Sequence, residues 1–520
     1  GFTRVPGGFI PTQDKQYLFA GVQMPEGATL ERTEAAMKTI GELALQTPGV
    51  ANVVQFPGLN AIHFVSTPNV GVMFIGLDAP GDLPKPAAAI ARELNAKFAA
   101  GVRGGAAFAF MPPPVFGYGN AAGVEAYVQD RARIGYGELN NQTRALAGAI
   151  SAVDGFGPHT AYSSFQANVP QLDARVDRDQ VKASGLALTD VYNTLQVYLG
   201  SAYVNDFNLF GRTYPVYAQA DAEFRDEVDD IARMRVRSAS GDMLALGSVV
   251  EVTPGYGPDP VVRYNGFPAA DLQAAPRSPA ISATDAVRIA SDTAAQVLPR
   301  GMTLEFTGLT YQQVSQGIGQ YLVLPLCVLL VYLVLAALYE SWSLPMAVIL
   351  IVPMCMLSAL GGIWVLNLVR GLWFMAQVKM EWINPAVAAP PTVIDMNVFT
   401  QIGLVVLMGL ACKNAILIVE FARDLEEQGR GIVDAAIEAC RLRLRPILMT
   451  SFAFCAGVLP LVFASGPGEE VRHVMGVTVF FGMLGVTFFG LFFTPVFYVV
   501  IRSWVERRAA RAAAVETGHG

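Results

Sequence analysis

The sequence predicts a bundle of five membrane-spanning helices joined to an exported α+β domain built from two β-α-β-β-α-β units. Three observations carry that reading. Hydrophobic residues, 53% of the chain, gather into five long uncharged runs within residues 321–520. Charge gathers in the other part: residues 1–320 hold 23 Lys and Arg against 30 Asp and Glu, whereas 321–520 hold 13 against 13. The strand and helix patterns of residues 16–111 return over 124–320, and a returning order marks a repeated unit. Only 15% of residues are charged, well short of the roughly 25% of soluble chains. Both a compact soluble protein and intrinsic disorder are excluded.

The first unit reads in order as strand 16–23, helix 28–46, strands 51–56 and 70–77, helix 86–98 and strand 106–111. Thr29 opens the first helix, with Glu31 and Glu34 in its early turns. This is the split βαβ, ferredoxin-like pattern. The second unit reads as strand 124–129, helix 138–153, strand 172–176, a late helix 284–297 and strand 303–306. Residues from about 190 to 259 interrupt it, with a hairpin excursion around 200–219.

A helix needs about 20 apolar residues to cross a bilayer, and five segments qualify: 322–339, 346–369, 398–419, 447–464 and 474–501. Arginine marks their cytoplasmic ends. Arg423, Arg430, Arg441, Arg443 and Arg445 fill one connection, and Arg502, Arg507, Arg508 and Arg511 the tail. Two spans lie between these groups, so the parity agrees, and residues 1–320 fall on the outer side. The chain opens at Gly1 with nothing that could export such a domain. The expectation is therefore the C-terminal part of a larger protein.

No enzyme signature stands out. His63, His159, His473 and His519 have no zinc spacing, and neither a P-loop nor a dinucleotide fingerprint is present. The acidic balance argues against nucleic acid. All five cysteines fall between Cys327 and Cys455, where they suggest packing. An exported domain without a catalytic cluster points to binding, with no metal and no cofactor.

Seven stretches carry a resemblance: FIPTQD at 9–14, LDARVDRDQVKASGLALTDVYNTL at 172–195, GSAYVNDFNLFGR at 200–212, RYNGFP at 263–268, AALYESWSLP at 336–345, KNAILIVEFARD at 413–424 and RLRPILMTS at 443–451. Through them the chain resembles the second half of the resistance-nodulation-division (RND) efflux permeases, in the AcrB-like hydrophobe/amphiphile branch. The resemblance implies a proton-driven, homotrimeric, twelve-span antiporter of the bacterial inner membrane that works with a periplasmic adaptor and an outer-membrane channel. It implies a lead-in segment 1–15 after a span that precedes Gly1. Two periplasmic porter subdomains, 16–115 and 116–320, would follow, the second carrying a docking hairpin insertion at about 190–259. The five-helix bundle is then 321–502 and the cytoplasmic tail 503–520. The outer connection 367–397 is longer than the family's. Trp373, Phe374, Met375 and Trp382 beside Lys379 and Glu381 suggest an interfacial helix, broken by Pro385 and by Pro390 and Pro391. A plain surface loop is the other reading.

Lys413 lies inside an uncharged span, where a charge costs about 3 kcal/mol. No Asp or Glu stands at comparable depth in the other spans, so its partner must come from outside this chain. The resemblance implies two aspartates of the first half, with proton binding breaking and remaking the pair. Asn414 offers a hydrogen bond within the bundle or mere helix packing. The resemblance places Thr450 and Arg443 in the proton relay. Thr450 could equally bond its own helix, and Arg443 could anchor topology.

A pump for amphiphiles needs an apolar, loosely specific pocket. The connection 56–69 is unusually apolar, with Phe56, Leu59, Ile62 and Phe64. The resemblance implies that it separates an outer from a deeper pocket, that Val54 and Phe74 line that pocket, and that Phe108, Phe110 and Phe116 stand on the access side. Val54 and Leu59 occupy positions where the family carries phenylalanine. Core packing is the competing reading for Phe74 and Phe108, and His63 reads as a polar loop residue. Alternatives to drug efflux are an RND metal-ion pump, a non-transporting membrane assembly or export factor, and an inactive truncation.

Overall fold

The structure, a computed structural model, describes residues 5–115, 123–157, 160–276, 278, 281–316, 319–380 and 393–517. Its first α+β unit runs β1 (Tyr17–Gln23), α1 (Leu30–Leu45), β2 (Val50–Asn60), β3 (Val65–Leu77), α2 (Ala87–Gly101) and β4 (Ala106–Phe110). The strands form one antiparallel sheet in the order β2-β3-β1-β4. Alternation decides which face is covered. Leu18, Ala20 and Val22 of β1 and Met73 and Ile75 of β3 are buried in one core with Met37, Ile40, Ile90, Leu94 and Phe98 of the two helices. Thr29 stands at the α1 N-cap with extended backbone, but its side chain makes no capping bond. The expected connection 56–69 is largely strand instead. β2 and β3 run on as a long hairpin whose tip is residues 61–64, with a register shift at Pro57/Leu59 that accommodates a residue unable to donate to the ladder.

The second unit opens with β5 (Val124–Asp130), α3 (Tyr136–Ser151) and β6 (Ala161–Tyr162). Residues 166–260 then form a compact unit of their own. It contains β7 (Val169–Val176), α4 (Arg178–Ala183), α5 (Leu188–Leu195), β8 (Ala202–Leu209), β9 (Arg212–Ala218), α6 (Val228–Arg233), β10 (Arg235–Arg237), β11 (Met243–Ala245) and β12 (Val250–Gly257). β8 and β9 pair as an exposed hairpin. The chain returns through β13 (Arg263–Tyr264), β14 (Phe267–Ala274), α7 (Ala283–Val297), β15 (Met302–Phe306) and α8 (Gly308–Ser315). The second sheet runs β13-β14-β5-β15, with β6 on β14.

Two strand readings change here. Residues 172–176 do not join the second sheet but pair with β12 in a separate two-stranded one. The second sheet takes β14 instead, a strand the sequence hides because FPAADLQA holds no β-branched residue.

Among the described residues, five helical stretches are long and apolar enough to cross a membrane: Leu322–Tyr339, Leu344–Lys379, Val398–Glu427, Ile432–Val462 and Glu469–Arg508. The helices themselves are α9 (Gly319–Tyr339), α10 (Leu344–Ile349), α11 (Ile351–Lys379), α12 (Val398–Glu427), α13 (Ile432–Val462) and α14 (Glu469–Thr517). α14 packs against α11, α12 and α13. α11 continues without a break through Trp373 and Phe374 to Lys379, so the first part of the expected outer connection prolongs the span. Trp382, Pro385, Pro390 and Pro391 lie outside the described residues. α13 begins well before residue 447 because Ala435, Ala436 and Ala439 give its early turns a buried face.

Candidate functional site

The open face of the first sheet carries a row of apolar side chains. Register aligns Val54 with Phe74, Phe74 with Phe19, and Phe19 with Phe110, across all four strands. The rings touch in sequence. Phe56 meets Phe74 at 5.8 Å, Phe74 meets Phe19 at 4.7 Å, Phe19 meets Phe110 at 5.8 Å, and Phe108 meets Phe110 at 6.0 Å. Phe108 also meets Tyr162 of the second unit at 5.2 Å. Burial, with Asp271 and Glu125 nearby, pushes the Tyr162 hydroxyl well above its usual range, so it stays a neutral phenol. A Cβ on Gly21 would stand 3.0 Å from the Phe108 ring, so glycine there makes room for that side chain.

The structure thus brings Val54, Phe56, Phe74, Phe108 and Phe110 onto one face. Leu59, Ile62 and Phe64 sit toward the hairpin end. Phe64 is 76% exposed and held at a positive φ of 53°, a conformation costly for a bulky residue. Phe116 lies outside the described residues. Phe19, at the middle of the row, escaped sequence reasoning. Its signal was the alternation of YLFAGVQ, which sets Tyr17, Phe19 and Gly21 opposite the buried Leu18 and Ala20.

In the bundle, Lys413 sits near the middle of α12. Ile402, Val406, Gly409, Lys413 and Glu420 are the exposed positions along this stretch, and steps of three, four and seven place them on one stripe. Lys413 joins no ion pair among the described residues. Its neighbour Asn414 is buried and donates to the Ser451 hydroxyl of α13 at 3.4 Å. The Thr450 hydroxyl donates to the Ile447 carbonyl of its own helix at 3.1 Å. Arg443 lays its guanidinium over the Phe421 ring of α12, 4.4 Å from the centroid, a favourable cation–π contact.

The FIPTQD stretch acts as a tie. The Met396 amide donates to the Pro6 carbonyl at 2.7 Å, Val398 to Phe9 at 3.0 Å and Gly468 to Asp14 at 2.9 Å. The Asp14 amide donates to Glu470 Oε1 at 3.0 Å. Gly8 is required by closeness, since a Cβ there would overlap the Asp395 carboxylate. Burial holds the Asp395 carboxyl above the usual carboxylate range. Beside this tie is a cavity of about 770 Å³, whose lining includes Phe9, Arg370, Phe463 and His473. His473 donates through Nδ1 to the Val462 carbonyl at 2.6 Å, which leaves Nε2 to accept from Arg370 at 2.7 Å.

Long apolar helices, an antiparallel α+β region with an aromatic face and a lysine in the exposed stripe of α12 define a polytopic membrane protein. The chain belongs to the AcrB/AcrD/AcrF family, whose model matches residues 1–378 and 367–502. It is 36% identical over 509 residues to the toluene efflux pump membrane transporter TtgB of Pseudomonas putida, covering 96% of this chain and 45% of the relative. It is 34% identical over 508 residues to the multidrug export protein AcrF of Escherichia coli, covering 96% and 46%. The multidrug resistance protein MdtF of the same species is 33% identical over 518 residues, covering 97% and 46%. The chain therefore spans about half the length of the curated relatives it matches, which are named as a membrane transporter, an export protein and a resistance protein.

Proposed function

We propose that this chain is the C-terminal half of an inner-membrane RND permease that exports amphiphilic drugs, solvents or other hydrophobic compounds at the expense of the proton gradient. The observation that carries the proposal is the aromatic row from Phe56 through Phe74 and Phe19 to Phe110. Rings without a fixed hydrogen-bond pattern suit ligands that share surface rather than polar groups. The names of the relatives, toluene and multidrug transporters, point to the same chemistry.

In this reading the two α+β units are ferredoxin-like porter subdomains facing the periplasm, over 16–115 and 116–320. The β8–β9 hairpin is their docking arm toward neighbouring subunits of a homotrimer or an outer-membrane channel, with a periplasmic adaptor alongside. Val54, Phe56, Phe74, Phe108 and Phe110 contact cargo, with Leu59, Ile62 and Phe64 on the hairpin beside them and Phe116 at the access side. Lys413 pairs with an acid of the first half across the exposed stripe of α12. Protonation of that acid removes the attraction, and the helices shift. Asn414 through Ser451 and Arg443 through Phe421 tie α13 to α12, while Thr450 and Arg443 serve the proton relay beside Lys413.

The test uses the complete protein in a drug-hypersensitive host. Lys413→Ala should abolish resistance to every compound at normal expression, whereas Phe74→Ala should alter which compounds are exported. Full resistance in the Lys413 variant would overturn the coupling role, and an unchanged compound profile in the Phe74 variant would overturn the cargo face.

A further inference from the structure

The tip of the β2–β3 hairpin carries His63, and its imidazole crosses to the second unit. Nε2 lies 3.4 Å from the Ser164 hydroxyl and 3.6 Å from Asp271 Oδ1. The contact is enclosed, with side-chain exposures of 9% for His63 and 4% for Asp271. Ser164 is committed to the same carboxylate: its hydroxyl donates to Oδ1 at 2.9 Å and its amide to Oδ2 at 3.0 Å. With the hydroxyl proton so spent, Nε2 has only acceptors before it and must carry a proton to bond either one.

The groups around Asp271 are acidic or neutral. On β14 Asp271 and Gln273 share a face, and β5 sets Tyr127 and Glu125 opposite them. The Tyr162 hydroxyl of β6 donates to Gln273 Oε1 at 2.7 Å. From β1, the Gln23 amide reaches the Ser164 carbonyl at 3.5 Å. Burial, helped by Asp271 and Glu125, pushes the Tyr127 hydroxyl up to about 12, so this phenol stays neutral. Among the described residues, no Lys or Arg forms an ion pair with Asp271, and His63 is its one basic partner. At its backbone, His63 donates to Asn60 Oδ1 at 3.3 Å, which fixes the tip's turn.

We propose that His63, Ser164 and Asp271 form a latch that pins the hairpin tip to the second α+β unit, and that the charge on His63 sets how firmly it holds. An imidazolium is attracted to the buried carboxylate, whereas a neutral ring offers only a hydrogen bond. Acid closes the latch and base loosens it. The latch does not depend on what the protein carries, because both partners lie in this chain.

Amide hydrogen exchange at residues 60–66 of the complete protein in nanodiscs tests it, at about pH 5.5 and about pH 7.5 with intrinsic rates corrected. In the unaltered protein the tip should be protected about fivefold more at the lower pH, the range of a modest ion pair. His63→Gln keeps a donor but does not titrate, so the pH step should vanish. Asp271→Asn should lower protection in acid to the level at the higher pH. A pH step that survives in either variant would overturn the proposal. Should Asp271→Asn fail to fold, His63→Lys decides, since a permanent cation should hold the tip equally at both pH values.

Discussion

The Asn414 side-chain amide on α12 donates to the Ser451 hydroxyl on α13 at 3.4 Å, with both residues buried. Lys413 and Thr450 each precede one member of this pair by one position. The bond therefore fixes the register between the helices that carry the two most functionally suggestive polar groups of the bundle. Polar contacts between membrane helices contribute about 0.6 kcal/mol on average. Asn414→Ala should destabilise the protein by about 0.5–1 kcal/mol and leave Ser451→Ala little to add. A double-mutant cycle in denaturant unfolding of the complete protein measures this. Additive losses would show that the two side chains do not couple.

Phe19 joins the two halves of the aromatic row, with Phe74 at 4.7 Å and Phe110 at 5.8 Å. Aromatic contacts contribute about 0.5–1.5 kcal/mol each beyond area burial, so Phe19→Ala should weaken binding of a bulky apolar dye by about 3- to 10-fold. Phe19→Leu should lose less. Fluorescence polarisation on the complete protein reads the difference. Equal affinities for all three forms would remove Phe19 from the binding face.

Glu93 accepts from Lys85 at 2.8 Å and pairs with Lys97 at 3.1 Å. The Lys85 hydrogen bond, ahead of the Lys97 contact, holds its carboxyl below the usual value of 4.5. A carboxyl depressed on folding contributes stability above its unfolded pKa and loses it as pH falls through the folded one. Glu93→Gln should therefore cost about 0.5 kcal/mol at neutral pH, with the difference fading as pH falls below the ordinary carboxylate value. Thermal melting of both forms across that range checks the sign. A gap that widens in acid would contradict it.

Glu426 near the end of α12 accepts from both the Tyr498 hydroxyl and the Arg502 guanidinium of α14. Glu426→Ala leaves a partly buried arginine and a phenol without their shared acceptor, at a cost of about 1–3 kcal/mol. Glu426→Gln should recover part of this by keeping an acceptor for Tyr498. Unfolding midpoints would separate the two, and equal losses would mean that the charge is what matters.

The spans were legible because membrane length and uncharged composition are properties of single segments. Only their ends moved, as in α11, where Trp373 and Phe374 continue a helix that composition alone would stop. Lys413 was legible for the same reason, since one charge in an apolar run needs no knowledge of neighbours. The aromatic face was legible in part. Phe56, Phe74, Phe108 and Phe110 could be named singly, but their alignment depends on register across four strands, and Phe19 enters only through that register. The His63 contact was hidden, because its partners Ser164 and Asp271 lie far off in sequence and meet it only after both units have folded. β14 was missed because neighbouring strands, not its own residues, hold it extended.

The segment from Pro6 to Asp14 is fastened at four points to the ends of α12 and α14, and β1 begins soon after, at Tyr17. Between them the Gln16 amide donates back to Asp14 Oδ1 at 2.9 Å, and Gln16 takes a positive φ of 61°. A tilt at the head of α14 therefore pulls on Asp14 and on this tight turn, which leads directly into β1. The sheet is thereby harnessed to the helices like a lever to its pushrod, so a displaced helix end would be felt first at β1, the strand that carries Phe19.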